Sequence, residues 1–147
     1  MGTAAQIRNY RVRAGKSPGE VAQHLGLNDA WYQDLERHDD ELASTLTLFQ
    51  AIELASVLGV RLHDLLGKEA PPDELIALID LPSRITAHVA RKGISIEQFE
   101  EEVGWELQDF LQSPIKVAAE SPIIFLQAVA EHLRINWLSL IPDDHAL

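Results

Sequence analysis

Ser17 to Arg37 reads SPGEVAQHLGLNDAWYQDLER, and this stretch decides the fold. Val21, Ala22 and Leu25 form one apolar stripe at helical spacing. Gly26 follows, able to close that helix in the left-handed conformation without a Cβ penalty. Leu27 drops back toward the core, and Asn28 can cap a second helix by accepting from its orphan N–H groups. Tyr32 and Leu35, three apart, bury one face of the second helix and leave Asp29, Ala30, Gln33, Asp34 and Arg37 nearer the outside. Two short amphipathic helices about a tight turn are the layout of a helix-turn-helix, whose second helix can lie in a DNA major groove.

The flanking residues extend the pattern. Ser17 and Glu20 have the spacing of a capping box, and Pro18 suits a first helical position, where no N–H is needed. Upstream, a helix is expected over about Ala5–Arg13, with Ile7 and Tyr10 inward, Val12 or Ala14 helping, and Gly15 ending it. Downstream, Thr47, or Ser44 before it, opens a fourth helix whose stripe is Leu48, Ile52, Ala55 and Leu58, closed by Gly59. Val60, Leu62, Leu65 and Leu66 then form a short fifth helix. Before that fourth helix, His38, Asp39, Asp40 and Glu41 read as a solvated acidic turn. A His-Asp pair can belong to a metal phosphohydrolase, but the further ligands such a site needs are missing, so no metal or catalytic residue is assigned.

From Ile7 to Gly67 the chain resembles a helix-turn-helix domain of the Cro/C1 (XRE) type. The resemblance is carried by IRNYRVRAGKSPGEVAQHLGL, WYQDLER and LTLFQAIELASVLGVRLHDLL, in that order and spacing. It implies an all-α, lambda-repressor-like five-helix bundle. It also implies that Arg11 pairs internally with Glu36, which closes the recognition helix. Asp29, Ala30, Gln33 and Asp34 would face bases, while Arg8, Arg13, Lys16, Ser17, Asn28 and Arg37 would position the protein on phosphates. Two departures stand out. Pro18 occupies a place where the family often has a DNA-touching Gln, and Asp29 and Asp34 bring carboxylates into a phosphate field, suited at best to cytosine N4. Trp31 falls where the family often has an aromatic and is expected to pack on the neighbouring helix edge.

Composition sets the limits. The 147 residues carry 12 Lys and Arg against 23 Asp and Glu, a formal charge of −11. Residues 1–68 hold seven cations and nine carboxylates; residues 69–147 hold five and fourteen. The one basic cluster, Arg8, Arg11, Arg13 and Lys16, lies in the first half, and the acidic second half repels nucleic acid. The chain has no cysteine, which excludes disulfides and thiolate chemistry and suits a reducing cytoplasm. Neither a signal peptide nor a membrane-spanning apolar run is present, so a cytoplasmic protein without a membrane partner is expected.

The second half repeats the first. Ile7, Gly15, Gly26 and Tyr32 match Ile85, Gly93, Gly104 and Phe110, each 78 residues on; Ala55, Leu58, Val60 and Leu65 match Ala130, Leu133, Ile135 and Leu140, each 75 on. A single three-residue deletion at the acidic turn accounts for the change. The expected organisation is a helix-turn-helix domain over 1–68, a linker and connecting helix over 69–81 (GKEAPP, then Asp73–Leu81), and a degenerate helix-turn-helix-like bundle over 82–147, in a pseudo-twofold arrangement. Glu97, Glu100, Glu101 and Glu102, then Glu106 and Asp109, stand where the second copy would meet phosphates. Pro114 falls near the position of Glu36.

Two functions fit these residues. One is a sequence-specific DNA-binding transcriptional regulator acting on double-stranded DNA as a homodimer. The other is a helix-turn-helix scaffold for protein interaction, such as an antitoxin, immunity or anti-regulator protein, with the acidic C-terminal domain as a partner surface. No enzyme motif and no cofactor site rises above background.

Overall fold

The capping chemistry written at Ser17 recurs along the chain and sets where its helices begin. Ser17 Oγ accepts from the Glu20 N–H, Thr47 Oγ1 from Gln50 and Ser95 Oγ from Gln98, each at 3.1 Å, and each partner side chain returns the bond to the capping residue's N–H. In the computed structural model, which describes residues 2–66 and 75–142, all the regular elements are helical. They are α1 (Thr3–Arg13), α2 (Pro18–Leu25), α3 (Asp29–Leu35), α4 (Glu41–Thr45), α5 (Leu48–Leu58) and α6 (Leu62–Leu65), then α7 (Leu81–Lys92), α8 (Ile96–Val103), α9 (Gln108–Gln112), α10 (Pro114–Glu120) and α11 (Ile123–Leu133). Short 3-10 helices cover Leu78–Asp80 and Trp137–Leu140. None of the described helices is long and apolar enough to cross a membrane.

The repeat is structural. Moved by 78 residues, α2 falls on α8; moved by 75, α5 falls on α11 and α6 on the 3-10 helix at Trp137–Leu140. The turns after α2 and α8 show why the glycines recur: Gly26 has φ +70° and Gly104 φ +84°, a region that charges any Cβ-bearing residue for entry. Arg134 takes the place that Gly59 holds in the first repeat and adopts φ +58°, the one described non-glycine residue in that region.

Three sequence expectations change. The first half holds six described helices rather than five, because residues 41–45, expected as a turn and its exit, form α4; buried Leu42 anchors it, and α4 packs on α11. The helix expected over Asp73–Leu81 is shorter where it is described: 75–77 lie outside any helix, the Ile76 N–H going to Ser139 O at 2.8 Å instead of to a helical carbonyl, and only the 3-10 turn at Leu78–Asp80 leads into α7 at Leu81. Residues 67–74, including the GKEAPP linker, lie outside the described residues. In α1 the inward face is Ala4 and Ile7, with Tyr10 half-buried; Val12 is 60% exposed and Ala14 is also outside.

The two repeats share one core. Val21, Tyr32, Leu48 and Leu54 of the first and Ile85, Phe99, Phe110 and Phe125 of the second belong to a single buried cluster. Phe110 and Trp105 both meet Phe125 edge to face, with centroids 5.3 Å apart. A continuous core melts cooperatively, so calorimetry is expected to give one unfolding transition. Replacing Arg134 by Gly removes the strained left-handed residue and is expected to raise stability by about 0.5–1 kcal/mol in urea titration.

Candidate nucleic-acid interface

α3 is held from behind and open in front. Tyr32 and Leu35 are fully buried, while Asp29, Ala30, Gln33 and Arg37 are exposed and Trp31 and Asp34 half-buried. Asn28 Oδ1 accepts from the Trp31 N–H at 2.7 Å and starts the helix. The Trp31 indole N–H donates to Thr45 Oγ1 at 3.2 Å, which seats the ring against α4. Among the described elements, α3 packs chiefly on α2 and α4.

A two-point ion pair sets the angle of this helix. Arg11 Nε donates to Glu36 Oε2 at 2.7 Å and Arg11 Nη2 to Glu36 Oε1 at 3.0 Å, while Nη1 donates to Lys16 O at 2.9 Å. One guanidinium thereby joins α1, the entry to α2 and the end of α3. The side chains are only 13% and 11% exposed, and the hydrogen bonds that Arg11 donates to Glu36 raise the Arg11 pKa above its usual value against the cost of burial. The Tyr32 hydroxyl lies buried nearby without a hydrogen bond of good geometry; burial, and then the Glu36 carboxylate, push its acidity far below that of a free phenol, so it stays neutral. Arg11 is thus committed to the scaffold.

The remaining cations divide into separate places. Arg8 of α1, Gln33 of α3 and Arg37 just beyond it line one open hollow of about 220 Å³, with Arg11, Glu36 and Pro18 at its floor and side. Arg37 Nη2 reaches Gln33 Oε1 at 3.4 Å, a long contact that an incoming acceptor can replace. The Arg13 guanidinium lies 5.6 Å from the Tyr10 ring centroid, and Arg13 shares with Arg8 a second open hollow along α1. Lys16 lines a different hollow, with Glu20, Gln23, His24 and Val57.

Ser17 is engaged within its own helix. Its N–H donates to Glu20 Oε1 at 3.1 Å, so the start of α2 is already occupied by a carboxylate of this chain. The Ser17 N–H and hydroxyl hold the Glu20 pKa below its usual value, which keeps that charge in place. Asn28 spends its oxygen on the cap and has only its amide NH₂ to offer a phosphate. Asp39, read in the sequence as part of a solvated turn, accepts from the Ala4 N–H at 3.0 Å and caps α1 from 35 residues away. Nothing local marks that role. Among the described residues no group of three or more His, Asp and Glu is placed to hold a metal ion.

The second repeat carries different chemistry at the same positions. Arg11 and Glu36 correspond to Val89 and Pro114, both buried, so an ion pair in one copy is apolar packing in the other. Arg8 corresponds to Thr86, Lys16 to Ile94, Asp29 to buried Leu107 and Gln33 to Leu111.

Removing one partner of a largely buried pair leaves the other charge uncompensated, whereas replacing both restores packing. Arg11→Ala is therefore expected to cost roughly 2–4 kcal/mol, and Arg11→Met with Glu36→Leu to recover most of it, read as midpoints of urea unfolding.

Comparison of the chain with family models, with curated proteins and with solved structures returned no match, which leaves α3 and its two flanking arginines to carry the functional reading.

Proposed function

We propose that this protein is a sequence-specific, double-stranded-DNA-binding regulator of the Cro/C1 type, built on a lambda-repressor-like helix-turn-helix bundle. The observation that carries the reading is the grouping of Arg8, Gln33 and Arg37 around one open hollow beside the exposed edge of α3. Seven residues of helix give a rod of about 10 Å, short enough to enter a major groove end-on. On this reading Gln33 meets a base edge, with adenine N6 and N7 as its best partner, and Ala30 leaves room for a thymine methyl. Asp29 and Asp34 disfavour most bases and bias the site toward cytosine at their positions. Arg8 and Arg37 take phosphates on either side, and Arg13 and Lys16 add a weaker, more distant field.

A second reading, a scaffold gripping a basic protein partner, draws support from the exposed Glu97, Glu101, Glu102, Glu106 and Asp109 and the −11 formal charge. Selection from random duplexes at low and at physiological salt separates the two. The regulator reading requires one enriched motif; none at either salt rejects it. With that motif in hand, Arg8→Ala and Arg37→Ala are each expected to flatten the salt dependence of binding by about one unit, and Lys16→Ala by less. Gln33→Ala is expected to relax preference at one base pair, a loss of about 1–3 kcal/mol of discrimination.

A further inference from the structure

Helix-turn-helix proteins commonly double their contacts by pairing two identical chains about a twofold axis, each chain reading one half of an inverted repeat. Here an axis of that kind lies inside the chain. In an isologous contact, element i of one copy meeting element j of the other requires j to meet i. α5 packs on α10, and their equivalents α11 and α4 pack on each other. Only at the axis itself does a residue meet its own equivalent. Thr47 and Pro122, 75 residues apart and capping α5 and α11, form an isolated antiparallel bridge. Beside it, the Leu48 N–H donates to Ser121 O at 2.8 Å. A second such point is the 3.1 Å hydrogen bond between His63 Nε2 and Leu138 O, again 75 residues apart. The surface around this axis is apolar: Leu46, Leu48 and Ile123 have no exposed area, while their neighbours Phe49 and Ile124, again 75 residues apart, keep part of theirs.

We infer that the chain is its own dimer, with the second repeat filling the place a second copy would take, so that one chain binds one uninterrupted half-site and not an inverted repeat. The inference rests on the DNA reading above for its second clause only. Two observations join in it. The axis that would unite two chains, and the buried apolar residues Leu46, Leu48 and Ile123 around it, are engaged internally. The second repeat cannot read in turn, because Thr86, Ile94, Leu107 and Leu111 stand at the positions of Arg8, Lys16, Asp29 and Gln33, and its exposed Glu97, Glu101 and Glu106 repel phosphates. Such a molecule keeps the rigidity that pairing gives a helix-turn-helix and reads half the sequence.

Sedimentation equilibrium of the full chain at micromolar concentrations, followed by titration onto the duplex selected above, tests this. The expected result is the mass of one chain, a motif without twofold symmetry, one chain per duplex, and a log–log salt slope of about −2 to −4 set by two to four phosphate contacts. Arg91→Ala, the counterpart of Arg13 in the second repeat, is expected to leave affinity unchanged, while Arg37→Ala lowers it. A two-chain mass, or an enriched inverted repeat holding two chains, overturns the inference. A one-chain mass with no enriched duplex supports the internal dimer and removes the DNA reading alone.

Discussion

The structure depends on the junction where Thr47 meets Pro122 and Leu48 and Ile123 are shut away from water. A bundle of some sixty residues buries only about 60% of the surface its unfolded chain exposes and is marginal alone. Two such bundles placed face to face complete one another. Every large apolar side chain that closes the seam contributes about 1.5–3 kcal/mol by leaving water. With the seam in place, α5 has a fixed position, α2 rests on α5, and α3 rests on α2 and α4. The exposed helix is therefore supported from the seam through α4 and α5, while the Arg11–Glu36 pair sets its angle.

The repeats have diverged where that helix is aimed. In the first, a guanidinium on α1 grips the carboxylate beyond α3 and the carbonyl before α2. In the second, a valine and a proline stand at the two positions of that pair. A largely buried ion pair is a poor source of net stability compared with apolar packing, so its retention in one copy fits a need for a fixed orientation there. The copy with the pair also holds the paired arginines and the glutamine of the open hollow. The copy without it has an acidic outer face.

Much of this was legible in residue order alone. The cap at Ser17, the left-handed turn at Gly26, the buried Tyr32 and Leu35 and the 78- and 75-residue offsets are local or periodic signals. α4 escaped notice because five residues are too few to show a helical period, and its helix exists because Leu42 finds a buried place. The same limit misplaced the inward face of α1: at a helix end, one turn of apolar residues looks like another, and burial chose Ala4 over Val12. The helix drawn through Asp73–Leu81 is cut short to a 3-10 turn at Leu78–Asp80 because Ser139, remote in sequence, offers its carbonyl to Ile76.

For the candidate site the division is similar. Residue order alone determined that an exposed helix would follow Asn28 and that the basic residues gather in the first half, since caps, periodicity and charge are properties of neighbours along the chain; the pairing of Arg11 with Glu36 was implied only by the resemblance to the Cro/C1 type. Only the tertiary structure decided that Arg8 and Arg37 share a hollow with Gln33 while Lys16 lines another, and that the two halves close upon each other. Those outcomes depend on which surfaces meet, and a surface belongs to residues far apart in order that packing alone brings together.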